Sequence, residues 1–479
     1  MGSSSPPSGQ PAPAAGLARS YAEDRDPLGV PRPGYATALE ALAGMDLAGL
    51  SRRVAERLEH RGVTFGAGPF VVDPVPRLLC ADEWDRLAKG LAQRARALNH
   101  FLLDAYGEQR IVETGLISAA TIADAEGFEP DLAGSLPGHH APAAIIGFDV
   151  VRDADGEFLV LEDNLRTPSG FAYALAARDA LANTLPSGFP VPRPVDPVTY
   201  ELLEGVLRAA APEQRPELCV VVLTDGPGNV AYYEHAQAAA RLDALLATPG
   251  DLIREGDGLR VRLADGGSRT VDVVYRRTDE DRVRDEHGEL TDVAHALLGP
   301  WLGGSVGLVN AFGNGLADDK LVHSHVEDFI RFYLHEEPLV RSVPTYSLDT
   351  LEKRREAIGR LRELVVKPRH GHGGIGVVIG AHANQADLDR VAVELERDPD
   401  DFVVQPIISL SQHPTVIDGR LEPRHVDLRP FAFCAQDVEL LPGGLTRVAL
   451  DAGALVVNSS QRGGGKDTWV VDCADPAAG

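Results

Sequence analysis

Apolar positions in the first hundred residues recur with the period of a helix. Leu47, Leu50, Val54 and Leu58 are spaced by 3, 4 and 4, which places them on one helical face, and Gly62 stands where that helix should stop. Trp84, Leu87, Leu91, Leu98 and Leu102 repeat the pattern, with Asp82 as the expected N-cap and Gly107 as the stop. Beyond residue 140 the texture changes to short β-rich runs punctuated by Gly and Asp, at 143–151, 158–161, 218–223, 271–275, 364–366 and 402–404. Helical stretches near 170–184, 230–247 and 319–335 lie between several of them. Strands interleaved with helices predict an α/β or α+β fold. Residues 1–20 are mostly Ser, Pro, Gly and Ala, too poor in large apolar groups to pack, and read as a disordered tail. The Pro-rich stretch 186–197 reads as a linker between two units.

Composition narrows the class. A chain of 479 residues predicts about two to four structural units. Lys plus Arg number 46 and Asp plus Glu 71, so the formal charge is 46 − 71 = −25. That balance argues against a nucleic-acid partner or an anionic membrane surface, which need a basic stripe, and leaves room for a small anion in a locally basic cleft. Cys80, Cys219, Cys434 and Cys473 lie far apart with no C-x-x-C pair, so neither a disulfide framework nor a structural zinc site is expected. The pairs His323/His325 and His370/His372 have no evident third ligand. No stretch approaches 18 consecutive apolar residues, and the N-terminus lacks a charged start followed by an apolar run. A cytoplasmic protein without a membrane span is the expectation.

Four segments carry chemistry. The first runs from Leu364 through Lys367 and Gly371, Gly373, Gly374 and Gly376 to Gly380. Closely spaced glycines let backbone N–H groups approach a polyphosphate, and Lys367 adds a point charge. A P-loop is excluded because no Lys-Ser/Thr pair follows the glycines. The spacing Gly371-x-Gly373-x-x-Gly376 fits a dinucleotide fingerprint, but a strand-like Val-Val-Ile follows where that fingerprint opens a helix. The kinase arrangement fails because the lysine precedes the glycines. A strand–loop–strand flap with a lysine at its base remains.

The second segment, 147–170, reads as two strands joined by an Asp155-Gly156 turn. Asp149 on one strand then comes level with Glu162 on the other. Asn164, two residues on, shares the Glu162 face, and Asp163 points away. Such oxygens are hard ligands suited to Mg²⁺. The third segment, Pro423–Phe431, puts Asp427 and Arg429 on one strand face, where Arg429 can either grip a carboxylate or phosphoryl group or form a structural pair with Asp427. The fourth, 458–468, places Asn458, Arg462 and Lys466 around Gly463–Gly465, which reads either as a second invitation to an anion or as a surface turn.

Together these segments resemble the ATP-grasp carboxylate ligases. That family shows a lysine near a Gly-rich flap, a D-x-R strand, an Asn followed by glycines, and an Asp…Glu-x-Asn metal hairpin, in that order. Here the hairpin comes first instead of last, so the chain resembles the circularly permuted, type 2 group over about residues 140–479. Ala317-Asp318-Asp319-Lys320 also looks like that family's earlier Asp-Lys segment.

The resemblance implies two lobes clasping ATP plus a preceding α/β substrate domain. After the helical region that the periodicity predicts (21–139), it divides the chain into the hairpin part of the core (140–190), the substrate domain (198–310), a nucleotide lobe with the flap (311–400) and a core lobe (401–479). It further implies a nucleotide site of Lys320, Lys367, Gly371, Gly373, Gly374, Gly376, Gln405 and Asp427. Asp149, Glu162 and Asn164 would hold Mg²⁺, and Arg429, Asn458 and Arg166 would act on the reacting groups. Arg276, Arg277, Ser169, Gly464 and Lys466 would meet the substrates, small-molecule or peptide carboxylates and amines. The implied activity is ATP-dependent amide or peptide bond formation. An inactive ATP-binding interaction protein and a small-molecule phosphotransferase are the alternatives.

Overall fold

The computed structural model describes residues 20–136, 141–371, 374–451 and 463–473. Its largest layer is a mixed sheet whose central path runs Arg341–Ser342, Phe158–Asn164, Ile145–Arg152, Arg420–Arg429, Gly444–Val448, Gly464–Val471, Arg77–Cys80. Stretches far apart in sequence are therefore neighbours in one sheet. The N-terminal region is not purely helical, because Arg77–Cys80 lies parallel to Gly464–Val471 as a strand of that sheet.

The helix Leu47–His60 forms where the apolar spacing places it, burying Leu50, Val54 and Leu58, and Asp46 caps it by accepting the Gly49 N–H at 2.9 Å. Gly62 follows with φ +65°, a conformation that ends a helix without Cβ strain. The second helix spans Ala81–Tyr106, and its N-cap is Cys80. Asp82 sits inside the first turn, where its carboxylate faces the helix N-terminus and pairs with Arg86 at 3.0 Å. One face of this helix, with Trp84, Leu91, Leu98, Phe101 and Leu102, is sealed in the main apolar core together with Ile146, Phe148 and Val150 of the neighbouring strand.

A second sheet is wholly parallel, in the order Gly307–Val309, Val273–Arg276, Val220–Leu223, Leu245–Ala247. Helices Asp196–Ala210 and Tyr232–Arg241 pack on it, the arrangement of an α/β unit. The stretch ahead of Asp196 has no regular element between Ala182 and that residue. A third, antiparallel sheet joins Val378–Ile379, Leu364–Pro368 and Phe402–Pro406. Helices Leu351–Gly359 and Gln385–Arg397 back it, and Leu361, Leu364, Val366, Leu388, Val391 and Leu395 give it a core of its own. This small lobe faces the hairpin edge of the large sheet.

The cysteine expectation needs correcting. Cys80 and Cys473 form a disulfide across 393 residues, while Cys219 and Cys434 are buried and free. Sequence distance is no guide once two strands pair. Val471 lies opposite Cys80 in the parallel ladder, and Cys473 is two residues further on. No helix among the described residues is long and apolar enough to cross a membrane.

Candidate active site

Strands Ile145–Arg152 and Phe158–Asn164 pair antiparallel, with Gly147 opposite Asn164, Phe148 opposite Asp163 and Asp149 opposite Glu162. The predicted level pairing of Asp149 with Glu162 is thus the register of the ribbon. The turn is longer than the two residues expected. Asp153 Oδ1 accepts the N–H groups of Asp155 and Glu157, and Gly156 supplies φ +90°. A register irregularity falls between Asp149 and Val150.

Asp163 points to the opposite face, as alternation requires. There it is fully buried, bound by Arg94 through hydrogen bonds of 2.6 and 2.7 Å, with His323 Nδ1 2.7 Å away. Burial would raise its pKa, but the Arg94 charge overcomes this and holds it well below the usual carboxylate range. The long helix thereby anchors the back of the hairpin.

The front of the hairpin opens into a cleft between the two lobes. Val151, Leu161, Val343, Val365, Ile379 and Ile407 give it apolar walls, and Asp149, Glu162, Lys367, Gln405, Asp427, Arg429 and Arg447 supply the polar groups. Lys367, the next-to-last residue of its strand, donates to Glu162 Oε1 at 3.0 Å. Burial favours the neutral form of Glu162, yet Lys367 and then Lys320 outweigh it and lower its pKa. Lys320 stands on a short helix capped by Asp319, and its ammonium donates to the Gly371 carbonyl at 2.9 Å. Desolvation lowers the Lys320 pKa against the pull of Glu162.

The flap strand Val378–Ile379 pairs with Leu364–Pro368, and Gly371, Gly374 and Gly376 all adopt positive φ between them. That is the conformational reason for the glycines. Gln405 lies opposite Val365, its amide donating to Thr345 Oγ1 at 2.8 Å.

At the other end of the cleft four charged side chains interlock. Arg429 binds Asp149 and, at 2.9 Å, Asp427. Arg447 lies opposite Asp427 in the neighbouring strand, 3.5 Å from it and 3.5 Å from Asp149. Burial pushes Asp427 up to about 6 despite the Arg447 charge. The Asn164 amide nitrogen donates to Asp149 Oδ1 at 3.0 Å. Among the described residues no cluster of three or more His, Cys, Asp or Glu is arranged for a metal. The hairpin instead offers two carboxylates and one amide oxygen, a donor set that fits Mg²⁺, which keeps several waters and shares its shell with phosphates.

The other predicted residues lie elsewhere. Arg166 pairs with Asp318 at 3.0 Å and with Asp281 at 3.5 Å, outside the cleft lining. Arg277 is buried on Ser169, the Pro168 carbonyl and Glu234, and Arg276 is buried against the carbonyls of Asn310 and Ala311. Gly464 is a ladder residue paired with Val448. Lys466 requires correction as a substrate contact. It is fully buried and its ammonium is held by Asp73 and the carbonyls of Val75 and Pro414, because a buried cation must be neutralised where it lies. Gly373 and Asn458 lie outside the described residues. Sequence reasoning missed Arg447 and Arg94. Nothing in their local sequence distinguishes them, and only the register opposite Asp427 and the packing behind Asp163 select them.

The flap, the carboxylate hairpin and the two arginines thus border one cleft. Residues 76–449 match the circularly permuted ATP-grasp type 2 family, and the protein belongs to it. An uncharacterized protein of Mycobacterium tuberculosis is 40% identical over 467 residues, covering 95% of this chain and 84% of the relative. A Frankia alni protein provisionally named glutamate–cysteine ligase 2-3 is 40% identical over 463 residues. That match covers 94% of this chain but 54% of the Frankia protein. Among solved structures, a glutathione synthetase-like effector (GSS30) of Globodera pallida, in its apo form, matches with a TM-score of 0.56 at 13% identity. The match covers 89% of this chain and 98% of that one, a likeness of fold.

Proposed function

We propose that the protein is an ATP- and Mg²⁺-dependent ligase that activates a carboxylate as an acyl phosphate and joins it to an amine. ATP-grasp family membership supports an ATP-dependent ligase of the carboxylate–amine kind, and the name of the Frankia relative is of the same kind. The observation that carries the reading is the approach of Lys367 to Glu162 at 3.0 Å across the mouth of one cleft. It joins the phosphate-binding lysine of the flap to the oxygen-bearing hairpin.

A carboxylate does not condense with an amine in water because its oxygen is a poor leaving group. Phosphorylation cures this, and the protein's task is then positioning and charge neutralisation. In this reading the apolar walls and Gln405 hold the base of the nucleotide, and Lys367, Lys320 and the flap backbone hold its phosphates. Asp149, Glu162 and Asn164 would hold Mg²⁺, which when bound neutralises phosphate charge. Arg429 and Arg447 would face the transferring group, and closure of the flap would exclude water that hydrolyses an acyl phosphate. No protein nucleophile is required.

The test is ADP release by the purified protein with pools of small acids and amines. Release should require both a carboxylate and an amine. ADP formation indifferent to the amine would end the ligase reading.

A further inference from the structure

A second cleft, of about 410 Å³, lies on the far side of the large sheet and is lined by Tyr21, Glu23, Arg32, Arg86, Arg152 and the Cys80–Cys473 disulfide. Its size is that of a small-ligand pocket. Both cysteines line the cleft and neither residue is fully buried. A disulfide in such a position is of the exchangeable kind, unlike one sealed in a core.

The charges around it are almost balanced. Arg152 is held by Glu23 at 2.9 Å and by Glu83, and Arg86 by Asp82 at 3.0 Å. Arg32 differs. Its Nε donates to the Ala22 carbonyl at 3.0 Å and its guanidinium lies 4.1 Å from the centre of the Tyr21 ring, but it has no carboxylate partner among the described residues. The cleft thus combines an accessible disulfide with one guanidinium left to bind an anion.

We propose that this cleft is a thiol-exchange site for a small thiol carrying a carboxylate, the acid resting on Arg32 while the thiolate attacks Cys473. The attack forms a bond between the thiol sulfur and Cys473 Sγ and breaks the Cys80–Cys473 bond, and the electron pair leaves on Cys80 Sγ. Cys80 is the N-cap residue of the 26-residue helix Ala81–Tyr106, so a thiolate released there lies at the positive end of the helix dipole, with Asp82 and Glu83 of the first turn opposing it and no first-turn N–H bonded to its side chain. A second molecule of the thiol then displaces Cys473, so two thiols are oxidised to one disulfide and the protein disulfide is reduced to two thiols. The inference is independent of the ligase reading, since its readout is mass and not turnover.

The experiment uses the full chain isolated without reductant. It is treated with 3-mercaptopropionate or with cysteamine at equal thiolate concentration, and opening of the link is followed by intact mass and peptide mapping. The expected result is an adduct on Cys473 and faster opening by the anionic thiol. The anionic-to-cationic rate ratio should fall about three- to fivefold in Arg32→Ala, the scale of one exposed ion pair, and persist in Arg32→Lys. The same ratio in the unmodified protein should shrink as salt is raised. Free Cys80 and Cys473 in the protein as isolated would overturn the proposal, as would a link that opens only in denaturant, or opening rates indifferent to the charge of the thiol.

Discussion

Lys367 Nζ rests 3.0 Å from Glu162 Oε1, although 205 residues separate them. The contact joins the small lobe to the large sheet across the cleft, and it makes Glu162 the side chain on which both halves of the proposed site depend. Glu162→Gln keeps the shape and removes the charge. Turnover should fall by about a hundredfold or more, the scale of losing one preorganised charge, with the circular dichroism spectrum unchanged. Near-normal activity at limiting Mg²⁺ would remove Glu162 from the metal site.

Lys367→Ala tests the other partner. Loss of one charge-assisted phosphate contact should weaken ATP binding about tenfold in titration calorimetry. An unchanged dissociation constant would take Lys367 out of the nucleotide site.

Arg94 grips Asp163 through two hydrogen bonds with both side chains buried. Arg94→Met leaves that carboxylate with His323 alone and should cost about 3–5 kcal/mol in urea unfolding, the scale of a broken buried pair. Arg94→Lys retains the charge without the planar fork and should lose less. Equal stability of all three proteins would mean that the long helix does not anchor the hairpin.

Glu23 is sealed between Arg77 at 2.6 Å and Arg152 at 2.9 Å. Burial alone would raise its pKa, but the two guanidiniums lower it from 4.5 to about 2. A depressed carboxylate stabilises the fold fully above its unfolded value, and this contribution is lost as pH falls from about 4.5 towards 2. The shift corresponds to about 3 kcal/mol. Glu23→Gln should therefore be less stable at neutral pH and should flatten the dependence of stability on pH in that window. Thermal unfolding between pH 6 and pH 3 measures both.

Part of this site is legible in the chain because its parts are local. A turn and a period of two decide that Asp149, Glu162 and Asn164 share a face with Asp163 behind them. The glycines around Lys367 announce a loop of positive φ, and Asp427 with Arg429 shows its shared face by spacing alone. Arg447 is an ordinary strand residue until Leu445 falls opposite Arg429 and Arg447 itself opposite Asp427. Lys466 stands beside three glycines, yet the strand that carries it runs through the core and delivers it to Asp73. Cys80 and Cys473 become partners only because their strands run parallel in register.

The sequence by itself determined the two N-terminal helices, the mixed α/β character, the carboxylate hairpin and the glycine flap, since each follows from periodicity, turn chemistry or spacing within a few residues. The tertiary structure alone decided which cations meet which carboxylates, where the cleft lies and that two distant cysteines join. Those outcomes depend on strand order and register, which are set by burial summed over the whole molecule and leave no mark in any short stretch of chain.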